Sequence, residues 1–171
     1  MELTFTGLDL FTFCRTARFF GEGIRASHLL GHADNGVIYL NGPVGVGKTT
    51  WSQHMMREMG VEGPIKSPTY QIVEEYERIS LNHFDFYRMG TPESLIDFDI
   101  EHYFYANRVS LIEWPDHAKG VIPKPDLVLE LSYNSDNSDL RDIVITTKSK
   151  TGSACMNCFN FYRERESSVS E

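Results

Sequence analysis

A chain of 171 residues is long enough to bury one substantial core and short enough to form a single domain. A hydrophobic share of 41% and a charged share of 23% are ordinary for a globular chain, and no apolar run approaches the roughly 18 residues of a membrane helix. The formal net charge of −8 removes any general attraction to phosphate backbones, which disfavours autonomous nucleic-acid binding and leaves action on nucleic acid to a complex.

The first residues, MELTFTGLDL, lack the basic region and apolar stretch of a secretion signal, which predicts a cytoplasmic protein without a membrane role. Asp9 to Phe20 reads as a helix, with Leu10, Phe13, Cys14, Ala17 and Phe20 at spacings of three and four, and Gly21 and Gly23 placed to end it. GVIYL is a short apolar run without alternation, the pattern of a strand covered on both faces. After a glycine turn, Trp51, Met55, Met56 and Met59 mark one face of a second helix, with Gly60 at its C-cap.

SPTY is a turn leading into a strand over Gln71 to Tyr76, and Leu81 to Tyr87 is a further strand. Thr91, Pro92 and Glu93 announce a helix reaching Tyr103, through a hydroxyl N-cap, a proline in the first position and an acid near the positive helix end. RVSLIEWP is a strand stopped by Pro115, and DLVLELSY and RDIVITTK form a closing pair around the polar NSDNSD. Strands and helices interleave, so residues 1–148 are read as one α/β domain with a mixed sheet flanked by helices. Residues 149–171 lose periodicity and are read as a peripheral or disordered tail. The odd count of three cysteines argues against a disulfide framework, and Cys155 and Cys158 form a CxxC pair without the further ligands that tetrahedral zinc needs, so that pair is read as incidental thiols.

The chemistry concentrates where GVIYL turns into helix. GPVGVGKT, Gly42 to Thr49, fits the phosphate-loop pattern of glycine, four residues, glycine, lysine and a hydroxyl residue. Glycines let successive N–H groups converge on an anion, and the following helix adds unpaired donors and partial positive charge. Lys48 can span the β- and γ-phosphates, and the Thr49 hydroxyl can ligate Mg²⁺, a hard ion that prefers oxygen. The candidate nucleotide contacts are Gly42, Val44, Gly45, Val46, Gly47, Lys48, Thr49 and Thr50, with Thr69 of KSPTY reaching toward the γ-phosphate or its metal.

A magnesium nucleotide site also needs an acid at the end of a neighbouring strand. Glu113 follows VSLI at the carboxyl end of a buried strand, and Asp85 lies inside the apolar NHFDFYR, so with Lys48 they form the candidate catalytic set. The alternative for either acid is a surface carboxylate paired with Arg88 or Arg108. Trp114 is read as core and His83 as a maker of structural hydrogen bonds.

GPVGVGKTT, KSPTY, HFDFYR and LIEWP, in this order and spacing, resemble the TsaE (YjeE) family over roughly Leu10 to Ser132. The resemblance implies a P-loop fold that binds ATP and Mg²⁺. It implies partnership with TsaB and TsaD in forming threonylcarbamoyladenosine, with tRNA met only through that complex. By the same resemblance Thr49 and Glu113 are the metal-associated pair, Asp85 the second acid and Thr69 part of a switch segment. Pro43 and Val44 depart from the acidic residue common after the first glycine, and PESL departs from PEEL. Two other classes share the cradle. A small-molecule kinase would need an arginine-rich lid, and no arginine cluster follows the middle strands. A GTP-dependent switch would need N-K-x-D and DxxG, and neither is present.

Overall fold

The described residues form seven strands and three α-helices in the computed structural model, which describes residues 1–29, 36–89, 95, 99–104 and 108–167. In chain order these are β1 (Glu2–Leu8), α1 (Leu10–Leu29), β2 (Val37–Asn41), α2 (Lys48–Met59), β3 (Val73–Tyr76), β4 (Leu81–Asp85), β5 (Val109–Glu113), β6 (Leu127–Tyr133), β7 (Arg141–Thr147) and α3 (Lys150–Ser167). They make one sheet in the order β1-β7-β6-β2-β5-β4-β3. The pairs β6–β2, β2–β5 and β5–β4 are parallel, and the flanking pairs are antiparallel. The fold is thus the mixed α/β sheet that the interleaved periodicities predict.

Central strands bury both faces, so β2 reads as an apolar run, while β4 and β5 also bury the polar Asn82, His83 and Ser110. In β2, Ile38 and Leu40 join the core under the helices, while Val37 and Tyr39 join a second core with Phe84, Phe86 and Ile112. Parallel pairing has a consequence for function. It sends the carboxyl ends of β2, β4 and β5 to the same edge, and the register sets Glu113 opposite both Leu40 and Asp85.

α1 starts where predicted, with the Asp9 carboxylate accepting from the Thr12 N–H at 2.8 Å as a side-chain N-cap. It does not end at Gly21 or Gly23. A Cβ at Gly21 would lie 2.4 Å from the Met55 carbonyl oxygen on α2, and one at Gly23 would lie 2.7 Å from the Phe159 Cα on α3. These glycines are notches that let three helices pack closely.

The tail reading is corrected in the same place. Residues 150–167 form α3, whose Cys155, Met156 and Phe159 are buried in the main core. The Phe159 ring meets Phe5 at 6.1 Å and Phe20 at 5.7 Å, both edge-on. Its apolar stripe is narrow and diluted by asparagines and a glycine, so its periodicity is faint in the sequence. The start of α3 is tied down through Asp126, which accepts from Val37 N at 2.8 Å and from the Ser149 hydroxyl. Gly152 is required there, since a Cβ would fall 2.0 Å from the Asp126 carbonyl oxygen.

β1 was not anticipated. Leu3, Phe5 and Leu8 turn inward along the β7 edge, with a register shift between Phe5 and Leu8 and Gly7 at φ 66°. The helix expected from Glu93 to Tyr103 falls largely outside the described residues, as do Thr91, Pro92 and Glu93 themselves. At the end of that range Ile100–Phe104, one residue beyond Tyr103, is a 3₁₀ helix.

Candidate functional site

The loop between β2 and α2 is shaped by its glycines. Gly42, Gly45 and Gly47 take φ of 145°, 80° and 112°, backbone that side chains resist. Packing behind the loop reinforces the requirement, because a Cβ on Gly42 would fall 2.5 Å from the Leu131 carbonyl oxygen. Gly47 occupies the N-cap of α2 and makes no side-chain cap, so the first amides of that helix are left for another acceptor.

Two residues that the sequence reading passed over brace the loop from the β6–β7 hairpin. The Tyr133 hydroxyl donates to Val44 O at 3.2 Å, and Arg141 Nε donates to Val46 O at 2.9 Å. The Arg141 guanidinium also lies 4.4 Å from the Tyr133 ring centroid. Neither residue carries a local motif, which is why no signal marked them.

Lys48 is buried, and its Nζ donates to Gly42 O at 2.7 Å and Pro43 O at 2.9 Å. Burial holds its ammonium below the usual lysine range, and the Glu113 and Asp85 carboxylates pull it partly back. Trp114, read as core, is half-buried: it packs against the second core and also lines the cleft, with its ring centroid 3.9 Å from Lys48 Nζ.

The two candidate acids occupy equivalent positions. Asp85 ends β4 and Glu113 ends β5, side by side in register and both buried. Asp85 Oδ2 accepts from Ser67 Oγ and Thr69 Oγ1, each at 2.6 Å, and Oδ1 accepts from Tyr87 N at 3.0 Å. Glu113 Oε1 accepts from Ser52 Oγ at 3.0 Å and pairs with His83 Nε2 at 2.9 Å. Neither arginine considered as a partner is used this way. Arg88 stacks on Tyr70 at 4.2 Å, and Arg108 pairs with Glu75 at 2.9 Å.

A cleft of about 360 Å³ brings these groups together, lined by Val44, Gly45, Gly47, Lys48, Thr49 and Thr50 from the loop and helix. Ser67, Thr69, Asp85, Tyr87, Glu113 and Trp114 line its other walls. Gly42 and Val46, proposed as nucleotide contacts, are not among the lining residues. Gly42 supplies a carbonyl to Lys48, and Val46 is buried beneath the loop with its carbonyl on Arg141.

The donor set fits a phosphate and a hard cation. Exposed loop amides and an uncapped helix start suit the anion, and the oxygens of Thr49, Asp85 and Glu113 suit Mg²⁺. Among the described residues no group of three or more His, Cys, Asp or Glu is arranged to hold an ion. An ion here would depend on phosphate oxygens and water for its remaining ligands, as Mg²⁺ usually does.

Comparison with known proteins decides the lineage. A family model described as threonylcarbamoyl adenosine biosynthesis protein TsaE matches residues 15–143. The chain belongs to the TsaE family. The matched span contains the loop, both acids and the Tyr133 and Arg141 braces of this TsaE chain. Its relatives include the tRNA threonylcarbamoyladenosine biosynthesis protein TsaE of Haemophilus influenzae, 36% identical over 134 residues, covering 77% of this chain and 85% of that one. The Bacillus subtilis protein of the same name is 31% identical over 112 residues, covering 64% of this chain and 68% of that one. The crystal structure of Bacillus subtilis YdiB matches the fold with a TM-score of 0.73 at 20% identity, covering 95% of this chain and 97% of that one. Among the described residues, no helix of this TsaE chain is long and apolar enough to cross a membrane.

Proposed function

We propose that this TsaE chain binds Mg-ATP on the loop Gly42–Thr49 and hydrolyses it. The hydrolysis would support threonylcarbamoyl modification of tRNA adenosine by a TsaB–TsaD complex, through which alone the chain meets tRNA. The observation that carries the reading is the alignment of Asp85 and Glu113 at the ends of adjacent parallel strands, in one cleft with Lys48 and Thr49. The TsaE names of its relatives support the tRNA context.

On this reading Lys48 exchanges the Gly42 and Pro43 carbonyls for phosphate oxygens, where its charge makes stronger hydrogen bonds. Thr49, with Asp85 and Glu113, holds the metal side of the site, and Mg²⁺ when bound neutralises charge on the phosphates. Glu113 orients the attacking water and draws on its proton, while Thr69 follows the γ-phosphate as its segment orders and relaxes. The net negative charge of the chain suits a protein that reaches tRNA through partners.

The test is phosphate release by the purified chain, alone and with TsaB, TsaD and tRNA, alongside nucleotide affinity. Glu113→Ala is expected to lower kcat by about 10²-fold, the low end for loss of a general base, with affinity nearly unchanged. Phosphate release without an added acceptor separates hydrolysis from a kinase reaction. No detectable nucleotide binding by the chain, alone or in the complex, ends this reading.

A further inference from the structure

Glu113 is buried at the cleft floor, and both of its hydrogen-bonding neighbours fall on one atom, Oε1. Among the described residues no group donates to Oε2. The two neighbours are not equivalent. Ser52 has a single hydroxyl proton, and the Lys48 carbonyl lies 3.0 Å from the same Oγ that faces Glu113, so that donor is divided. His83 is fully buried, has its Nε2 2.9 Å from Glu113 Oε1, and has a buried Nδ1 with no hydrogen-bond partner.

These contacts locate the ring proton. A carboxylate can only accept, so the hydrogen between the two residues sits on Nε2. Nε2–H is therefore an undivided donor on Oε1.

We infer that His83 is a positioning residue for Glu113. Its Nε2–H pins Oε1 against the sheet so that Oε2 is the oxygen presented to the cleft. The inference rests on the reading of Glu113 as the group that orients the attacking water. It explains why a histidine stands in the middle of a fully buried strand, where a hydrophobic side chain would pack at no polar cost.

The experiment compares His83→Leu with His83→Gln, whose amide nitrogen can take roughly the place of Nε2. Nucleotide affinity is read with a fluorescent ATP analogue and turnover by phosphate release. His83→Leu is expected to lower kcat about 10- to 100-fold, the usual cost of losing a partner that orients an active-site ligand, while affinity changes less than about threefold. His83→Gln is expected to recover most of the loss. Equal loss in the two variants, or loss in affinity rather than turnover, overturns the role.

A second readout needs no active enzyme. ¹H–¹⁵N spectra of the wild-type imidazoles, with His83 assigned by its absence in His83→Gln, are expected to show a hydrogen on Nε2 and to shift in Glu113→Gln. A ring with no hydrogen on Nε2, or no shift, overturns the proposal even if His83→Leu fails to fold. A wild-type chain that hydrolyses ATP while His83→Gln fares no better than His83→Leu overturns the positioning role alone. A wild-type chain that hydrolyses nothing, alone or in complex, overturns the parent reading with it.

Discussion

Lys48 Nζ lies 3.9 Å from the Trp114 ring centroid while it donates to the carbonyls of Gly42 and Pro43. Trp114 is held for this contact in the left-handed region, at φ 58°, by the 3₁₀ turn that follows β5. A phosphate on the loop would draw the ammonium away from the indole, so Mg-ATP is expected to change tryptophan emission. Trp51 is fully buried against Phe13 and Phe20 and gives a constant background. Trp114→Phe is expected to remove the signal and keep binding measurable by calorimetry. Lys48→Ala is expected to weaken binding by about 10- to 150-fold, the loss of a charged hydrogen bond worth about 1.5–3 kcal/mol. Unchanged affinity in that variant contradicts the loop assignment.

Asp85 is buried, and the 67–69 segment is fastened to it by two hydroxyls on the same oxygen. Thr69→Val keeps the shape and removes one donor, which is expected to cost about 1.5–3 kcal/mol of stability, the range for a hydrogen bond to a charged group. Ser67→Ala combined with Thr69→Val is expected to cost other than the sum of the single changes, because the hydroxyls lie 2.8 Å apart and share their acceptor. Urea unfolding measures both, and a Thr69→Val loss below about 0.5 kcal/mol counts against the fastening.

The contact of Gly23 with Phe159 predicts that α3 is part of the cooperative unit. Gly23→Ala presses a methyl group on backbone atoms of α3 and is expected to cost about 1–3 kcal/mol, as overpacking does. Phe159→Ala empties a fully buried site and is expected to cost about 3–5 kcal/mol. Thermal unfolding of the two variants would show a single shifted transition. A wild-type midpoint in either one refutes the docking of α3.

Tyr39 provides a pH signature. Its hydroxyl donates to Pro123 O at 2.6 Å, and burial, aided by the Asp116 carboxylate, pushes its pKa up to about 12. A raised folded-state pKa means the folded form holds the proton longer than the unfolded chain does. The stability contributed by Tyr39 is therefore complete below the unfolded value near 10 and lost as pH rises toward 12. Melting temperatures of the wild type and Tyr39→Phe are expected to converge as pH climbs above 10. A difference that stays constant to the alkaline limit contradicts this.

What the sequence determined by itself was whatever a contiguous stretch can encode. Gly42 to Thr49 is legible because its backbone angles, its lysine and its helix start all lie within eight neighbouring positions. The β2 strand is legible because burial on both faces leaves an apolar run, and Glu113 stands out as a charge closing the mostly apolar VSLI. Only the tertiary structure decided how that charge is held. The pairing of His83 with Glu113 joins positions 30 residues apart, and the bracing of the loop by Arg141 joins positions 95 apart. It also turned Gly21 and Gly23 from helix ends into packing notches, and the tail into α3. The physical reason is the same in each case. A local pattern fixes backbone conformation and the face to be buried, whereas the partner of a buried polar atom or a small residue is chosen by the packing of distant elements.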